Sequence, residues 1–527
     1  MPVLLAAGTE RMLALGNGQQ TTVVSRPDPY LDCTPAQDWP SRSTADAVVV
    51  GSGAGGAAAA RTLAQAGMRV VIVEEGEHHT TASFAQQTPL DRFTQLYRDG
   101  GATIAYGRPP LLLPYGRAVG GTTIINSGTC YRTPEHVLRR WSRTYGFRLA
   151  DDMESRLTEV ESDLRVGVQP ADVLGRNGQL SLLGAKRLGW QAAPLRRNAS
   201  GCAGSCQCVV GCPTGAKQSM QVSILPEACS AGARIVTRAR ALHLLVDADR
   251  PGGPRAAGVR VRRADGTDLE ILSPLVVVAA GALQTPPLLR RSGLGSHPRV
   301  GRNLSVHPAI SVAGRFSEPV LASKGVLQST GIEEWHSQGI LLEATAAPPG
   351  MGSFVLPGAG AELRRELLES DHLATLGAMI ADRPSGRVLG RSKAHVFYDL
   401  DPHDGRRLIA ALRAAGTVLF AAGADEVLTG IPAAAPVKSL HELEELLDHT
   451  RPRQLHLSAF HPTGTVAAGA QDQLSPADPQ GRLRGVRGVL ISDASVLPSC
   501  PEVNPQLSIM AASLAITRNW LSTQAST

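Results

Sequence analysis

Aromatic residues are scarce in this chain: Phe, Trp and Tyr together make up 4% of its 527 residues. The core must therefore be built from Ala, Val and Leu. The 55 glycines and 36 prolines predict many turns and close backbone approaches. No run of about 18 apolar residues occurs, which excludes a membrane span as an expectation. No long Lys/Arg run exists either. Basic residues exceed acidic ones by only 52 − 46 = 6 and are scattered among them, so no nucleic-acid partner is expected. Met1 to Gln20 lacks a basic segment followed by an apolar stretch and a cleavage site, which predicts a cytoplasmic location. Repeats, coiled-coil heptads and low-complexity tracts are missing. With 43% apolar and 19% charged residues the chain is not of disordered composition. At roughly 100–200 residues per domain, its length implies two to four domains or one composite fold. Such a chain needs no disulfide framework to hold its core.

What is present begins at Ala45. Ala47-Val48-Val49-Val50 reads as a short buried strand. Gly51-Ser52-Gly53-Ala54-Gly55-Gly56 follows, then a helix of small residues from Ala57 to Ala66, then a second strand at Arg69–Val73. This βαβ unit carries a dinucleotide fingerprint. Gly51 permits the tight turn, Gly53 lets backbone approach a pyrophosphate, and Gly56 lets helix and strand pack closely. The helix start, from Ala54, offers free N–H groups to phosphates. Glu74 ends the second strand, 18 residues past Gly56, where a carboxylate accepts hydrogen bonds from ribose hydroxyls. The motif does not by itself separate NAD from FAD. Residues 77–115 read as mixed and loop-rich. Strands are predicted at Arg234–Val236 and Leu275–Gly281, and helices at 361–370, 405–423, 438–449 and about Pro505–Leu521.

Half of the eight cysteines fall within eleven residues: Cys202, Cys206, Cys208 and Cys212. Clustered thiols in a cytosolic chain point to metal or redox chemistry before structural disulfides. A group ending in Cys-x3-Cys-Pro is similar to iron–sulfur ligand sets. Zinc is disfavoured because paired Cys-x2-Cys knuckles are missing, and disulfides remain an alternative.

Three further segments separate the possible cofactors. One runs from Gly116 through Arg117, Gly120, Gly121 and Thr122 to Asn126. Another spans Gly281–Gly295 and continues through Val300-Gly301-Arg302-Asn303-Leu304 to His307-Pro308. The last combines His461-Pro462-Thr463-Gly464-Thr465, Ser492-Asp493-Ala494-Ser495 and Asn504-Pro505. Taken in this order, from Ala47 to about Leu521, the chain resembles the glucose–methanol–choline (GMC) family of flavin oxidoreductases.

The resemblance implies an α/β chain, α+β overall. An FAD-binding Rossmann-type domain of GMC type would be accompanied by a substrate-binding domain built on an antiparallel sheet with helices. The expected division is an N-terminal arm at 1–44, FAD-binding pieces at 45–135, 195–310 and 455–527, and substrate-domain pieces at 136–194 and 311–454. Gly120, Gly121, Thr122 and Asn126 would lie along the flavin, with Arg117 in the same segment. Asp493 and Ala494 would meet the pyrophosphate and ribityl chain, and Ala241 the adenine. The helix beginning near Pro505 would bring its positive end to the flavin. Ile125 stands where some members carry the His that attaches FAD covalently, so noncovalent FAD is expected. Cys130 occupies a position where the family has an aromatic residue, with Tyr131 one place on.

The resemblance also implies a catalytic pair. His461 would take the hydroxyl proton of an alcohol while hydride leaves the same carbon. Asn504, 43 residues on, would orient the substrate oxygen, since an amide accepts no proton at neutral pH. His456 is a nearby competitor. Some GMC dehydrogenases hold a three-iron, four-sulfide cluster with Cys-x5-Cys-x3-Cys-Pro, an order that Cys202, Cys208 and Cys212 reproduce. Cys206 would complete a four-iron cluster or stay free. The expected function is thus oxidation of an alcohol, with electrons leaving through an iron–sulfur cluster to a redox protein or quinone. An oxygen-using alcohol oxidase without a cluster is the alternative, and a lyase of the hydroxynitrile-lyase type, with FAD in a structural role, is a third. The substrate pocket is expected within 311–454, first in Leu341–Leu356 and Leu373–Arg387. Its apolar content suggests a hydrophobic alcohol, with a sugar or a specialised metabolite as the open alternatives.

Overall fold

The computed structural model describes residues 25–249, 251–352, 356, 360–432 and 434–525. The expected N-terminal arm lies outside the described residues up to position 24. Three apolar runs, Ala47–Val50, Val70–Val73 and Leu275–Val278, are buried at every residue. Strands that are apolar on both faces suit the middle of a parallel sheet covered by helices. They form one here, in the order Cys33–Pro35, Arg234–Thr237, Val70–Val73, Ala47–Val50, Leu275–Val278, Val489–Ile491. Every pairing in it is parallel. The helix Ala54–Gln65 crosses between the first two βαβ strands and is buried along most of its length. It packs against the C-terminal helix Gln506–Ala525 and the short helix Ile224–Ser230.

A second, eleven-stranded sheet is largely antiparallel. Its centre is Ala309–Arg315, Leu373–Ile380, Ile340–Thr345 and Gln328–Ile332. The long helix Pro402–Ala422 and the helix Gly175–Leu188 pack together on its face. A four-stranded sheet, Arg240–Asp247, Arg255–Arg262, Asp268–Leu272 and Arg42–Thr44, flanks the parallel one. The fold is therefore the mixed α/β architecture expected. Among the described residues no helix is long and apolar enough to cross a membrane.

Several stretches sit elsewhere than their composition suggests. Cys33–Pro35 and Arg42–Thr44, within the expected arm, are strands at sheet edges. Val137, Leu138, Trp141, Leu157 and Val160, assigned above to the substrate domain, are buried in the core of the parallel sheet. The loop-rich stretch 77–115 holds two helices, Thr81–Gln86 and Pro89–Leu96. Both start at a threonine whose side chain caps the first turn: Thr80 accepts from Ser83 N and Thr88 from Asp91 N. Those capping signals were in the sequence, but the helices are too short to show a period.

Candidate active site

The glycine turn is as tight as its sequence requires. Gly51 has φ +103, and a Cβ there would lie 2.3 Å from Ala279 O. A Cβ at Gly56 would lie 1.9 Å from Gly51 O, which enforces the close helix–strand contact expected of it. Gly55 was not singled out by the motif reading, yet its Cβ would lie 1.9 Å from Ser492 O. That contact is with a segment more than 400 residues away, so only the tertiary structure shows it. Gly53 faces the second glycine-rich segment: a Cβ on Gly121 would lie 2.8 Å from Gly53 Cα. Gly53 is also the N-cap of the helix starting at Ala54, with no side-chain cap and no acid in the first turn. The leading N–H groups of that helix are thus left for an anion.

Glu74 is buried and already engaged. Its carboxylate accepts from Ser52 N at 3.0 Å, Ser52 Oγ at 2.6 Å and Gly76 N at 2.8 Å. Ser52 Oγ in turn accepts from Gly120 N at 2.9 Å. One carboxylate and one hydroxyl therefore tie together the strand end, the first glycine turn and the second. A carboxylate has about four acceptor sites, so capacity for a ribose hydroxyl remains. Asp493 plays the same kind of part. It accepts from Gly281 N at 2.8 Å, Thr285 Oγ1 at 2.6 Å and Ser495 N at 2.7 Å. Burial raises the pKa of both acids. Ala494 O accepts from Gly464 N at 3.0 Å, which lays the His461–Thr465 segment along the 493–495 turn. Ala241 is buried, and its carbonyl accepts from Arg291 Nη2 at 2.7 Å. Arg117 and Thr122 are exposed. Thr122 Oγ1 accepts from Gly116 N at 3.2 Å.

Asn126 donates its amide to Gln506 Oε1, at the start of the C-terminal helix and next to the half-buried Pro505. His461 is half-buried, whereas the competitor His456 is exposed. Burial lowers the His461 pKa to about 4, so the ring is neutral at pH 7. Its Nδ1 lies 3.1 Å from His307 Nδ1, the two rings meeting edge to face. The other nitrogen of His307 contacts Cys500 Sγ. Asn504 is buried and bonds to Glu343 on the strand Ile340–Thr345. Burial pushes the Glu343 carboxyl up to about 8. Gln328 Nε2 donates to Glu343 at 2.9 Å, and Thr129 Oγ1 donates to Gln328. His307 and Glu343 had no assigned role in the motif reading. Glu343 lies in a segment flagged for inspection, but nothing in the sequence distinguishes it from a surface acid on a strand.

The cysteine cluster does not form a ligand set. Among the described residues no group of three or more His, Cys, Asp or Glu side chains is placed to hold a metal ion. All eight cysteines are free thiols. Cys202 and Cys208 both bond to the buried Arg197 guanidinium. Cys206, at φ 55, turns its thiol to Ala347 O at 3.4 Å. Cys212 bonds to Thr214 Oγ1 at 3.3 Å, and hydrogen bonds from this turn, helped by Lys217, lower its pKa. Sequence spacing suggested convergence; Cys202 and Cys208 do share the Arg197 guanidinium, while Cys206 and Cys212 turn to other hydrogen-bond partners. An iron–sulfur site is therefore not shown among the described residues. Nor do the cysteines form the alternative disulfides. Instead the loop braces the second glycine segment. Lys217 Nζ donates to Ile124 O at 2.7 Å, Asn126 O at 2.8 Å and Cys208 O at 2.7 Å.

The residues do fit FAD. Five polar side-chain atoms are buried without a partner along the lines just described: Asn126 Oδ1, Thr463 Oγ1, Ser495 Oγ, Asn504 Oδ1 and Gln506 Nε2. Buried polar groups are ordinarily satisfied, so unpartnered atoms on these segments suit a polar ligand.

Comparisons with known proteins agree. The GMC oxidoreductase family models match residues 93–309 and 384–513, and an FAD binding domain model matches 46–91. A GMC-type oxidoreductase of Mycobacterium tuberculosis is 54% identical over 524 residues, covering 97% of this chain and 82% of that protein. A long-chain-alcohol oxidase of Arabidopsis thaliana is 31% identical, covering 90% of this chain and 67% of that one. Pyridoxine 4-oxidase from Mesorbium loti shares the fold, with a TM-score of 0.69 at 18% identity over 90% of this chain and 99% of that one. Matched by these family models and by a 54% identical relative, the chain belongs to the GMC oxidoreductase family and has its FAD-binding fold.

Proposed function

We propose that this protein oxidises the CH–OH group of an apolar alcohol to a carbonyl, with noncovalent FAD as cofactor. The observation that carries the reading is the state of His461: neutral, half-buried, with Nδ1 engaged by His307 and Nε2 left over. In this reading Nε2 accepts the hydroxyl proton. Asn504, held through one amide hydrogen by Glu343, keeps an unpartnered Oδ1 and its other amide hydrogen to orient the substrate. Gly53, Gly121 and the helix start at Ala54 hold the pyrophosphate, and Glu74 takes a ribose hydroxyl. Asn126, Gln506 and the 493–495 turn line the rest of the cofactor, with Ala241 at the adenine. When bound, FAD supplies the acceptor for the hydride.

Oxygen is the electron acceptor we favour, because the cysteines do not converge on a cluster and the alcohol-oxidising relatives are named oxidases. The long-chain-alcohol oxidases among them support an aliphatic substrate. Eight free thiols suit a reducing compartment, which supports the cytoplasmic placement. The test is anaerobic mixing of the yellow holoenzyme with medium- and long-chain primary alcohols, followed by air. Loss of flavin colour and then one peroxide per alcohol oxidised is the expected result. Colour unchanged by any alcohol would overturn the redox reading in favour of a lyase. Bleaching without peroxide, together with stoichiometric iron and sulfide, would restore the cluster relay.

A further inference from the structure

The strongest unassigned feature is the chain of buried groups behind His461. His307 is 2% exposed and adopts φ 53, a left-handed conformation uncommon among residues other than glycine. Asp382 holds it there. The Asp382 carboxylate accepts from His307 N at 3.0 Å, Val306 N at 3.1 Å and Ser305 Oγ at 2.6 Å. Tyr398 OH donates to the same carboxylate at 3.0 Å. Four donors thus fix the backbone that aims the His307 ring. An antiparallel bridge between Ser305 and Thr463 brings the His461 segment alongside. The ring then contacts His461 through one nitrogen and Cys500 through the other. Strain of this kind persists where surrounding structure over-determines it, and it concentrates at functional sites.

The geometry points to His307 as a positioning residue that sets the tautomer of His461. The inference rests on His461 being the base. A bond between two Nδ1 atoms requires one ring to donate and the other to accept. If His461 is to accept a proton at Nε2, its own hydrogen must sit on Nδ1 and be donated to His307 Nδ1. His307 then carries its hydrogen on Nε2 and donates it to Cys500 Sγ, which also accepts from Glu502 N at 3.3 Å. The opposite arrangement would place a hydrogen on His461 Nε2 and block it as a base. The groups facing this array are His461 and Cys500, Asp382 beneath the backbone, and His336, which opposes protonation of His307. Glu502 and Asp382 act on Cys500, whose pKa burial raises well above its ordinary value. A protonated Cys500 and a neutral His307 are thus the resting state. When His461 takes up a proton, its Nδ1–H bond to His307 strengthens, which stabilises the cation.

The test is rapid-mixing anaerobic flavin reduction, with pH jumps reaching from pH 3 to 9, on holoenzymes carrying His307→Leu, His307→Asn and His461→Ala. Asn places a carbonyl acceptor near the Nδ1 position and tolerates positive φ. His307→Leu is expected to bind FAD but reduce it about 10-fold or more slowly, with the acid limb of the profile moved to lower pH. His307→Asn is expected to recover most of the rate and the profile. A wild-type rate and profile in His307→Leu, or equal loss in Leu and Asn, would overturn the inference. If His307→Leu yields no flavoprotein, Cys500→Ala against Cys500→Ser decides. A profile shifted in Ala and restored in Ser supports the array, and an unshifted Ala refutes it. His461→Ala separates the two levels. Wild-type reduction there sinks the assignment of the base itself, whereas slow reduction there with an unaffected His307→Leu sinks only the role of His307.

Discussion

Replacing Glu343 by Gln should make the protein more stable at alkaline pH and leave it unchanged at acid pH. Glu343 is wholly buried between Gln328 and Asn504, and burial raises its carboxyl from 4.5 to about 8. A carboxyl whose folded pKa exceeds its unfolded one contributes stability that is complete below about 4.5 and lost as pH rises through about 8. Over that window the unfolded chain has released the proton and the folded chain still holds it. At about 1.36 kcal/mol per unit, the difference integrates to roughly 3 kcal/mol between pH 5 and 8. Gln has the same shape and keeps an acceptor for the Gln328 amide, but it has no proton to lose. Urea unfolding of wild type and Glu343→Gln at both pH values measures the effect. The variant should match wild type at pH 5 and exceed it by roughly 3 kcal/mol at pH 8. A stability difference that stays flat with pH would show that Glu343 is ionised in the folded state and refute the reasoning. The same ionisation places a charge beside Asn504, so alcohol oxidation by wild type, but not by the variant, should weaken as pH passes about 8.

Further outcomes follow from the site. His461→Ala should retain FAD while flavin reduction slows by about 10²-fold or more, the usual scale for a lost general base. Rapid mixing reads both. Ser52→Ala removes the hydroxyl linking Glu74 and Gly120. It should cost about 1–3 kcal/mol in denaturant unfolding and weaken FAD retention on dilution; unchanged retention would show that the link does not shape the cofactor site. Lys217→Met strands three buried carbonyls, those of Ile124, Asn126 and Cys208. It should lower the melting temperature and release FAD earlier on heating, read by flavin fluorescence. Gly55→Ala should fail to fold or lose FAD, because the new methyl would sit 1.9 Å from Ser492 O; a stable yellow Gly55→Ala protein would mean that the helix can shift outward.

Local signals fixed the parts whose chemistry is local. A strand buried on both faces must be an unbroken apolar run, so Ala47–Val50, Val70–Val73 and Leu275–Val278 announced themselves. A glycine at φ +103 with a carbonyl 2.3 Å from its missing Cβ can be nothing else, so the Gly51 turn was legible too. The motif order carried the family and placed His461 and Asn504 in the C-terminal piece. Contacts across hundreds of residues were not legible. Cys202 to Cys212 lie close in sequence, and spacing alone suggested convergence, but a loop's sulfurs go where its backbone turns them. Here they went to Arg197, Ala347 and Thr214. His307 and Glu343 gained their chemistry only from burial beside His461 and Asn504. Burial is a property of the packed chain, and desolvation turns an ordinary imidazole or carboxylate into a group whose proton matters.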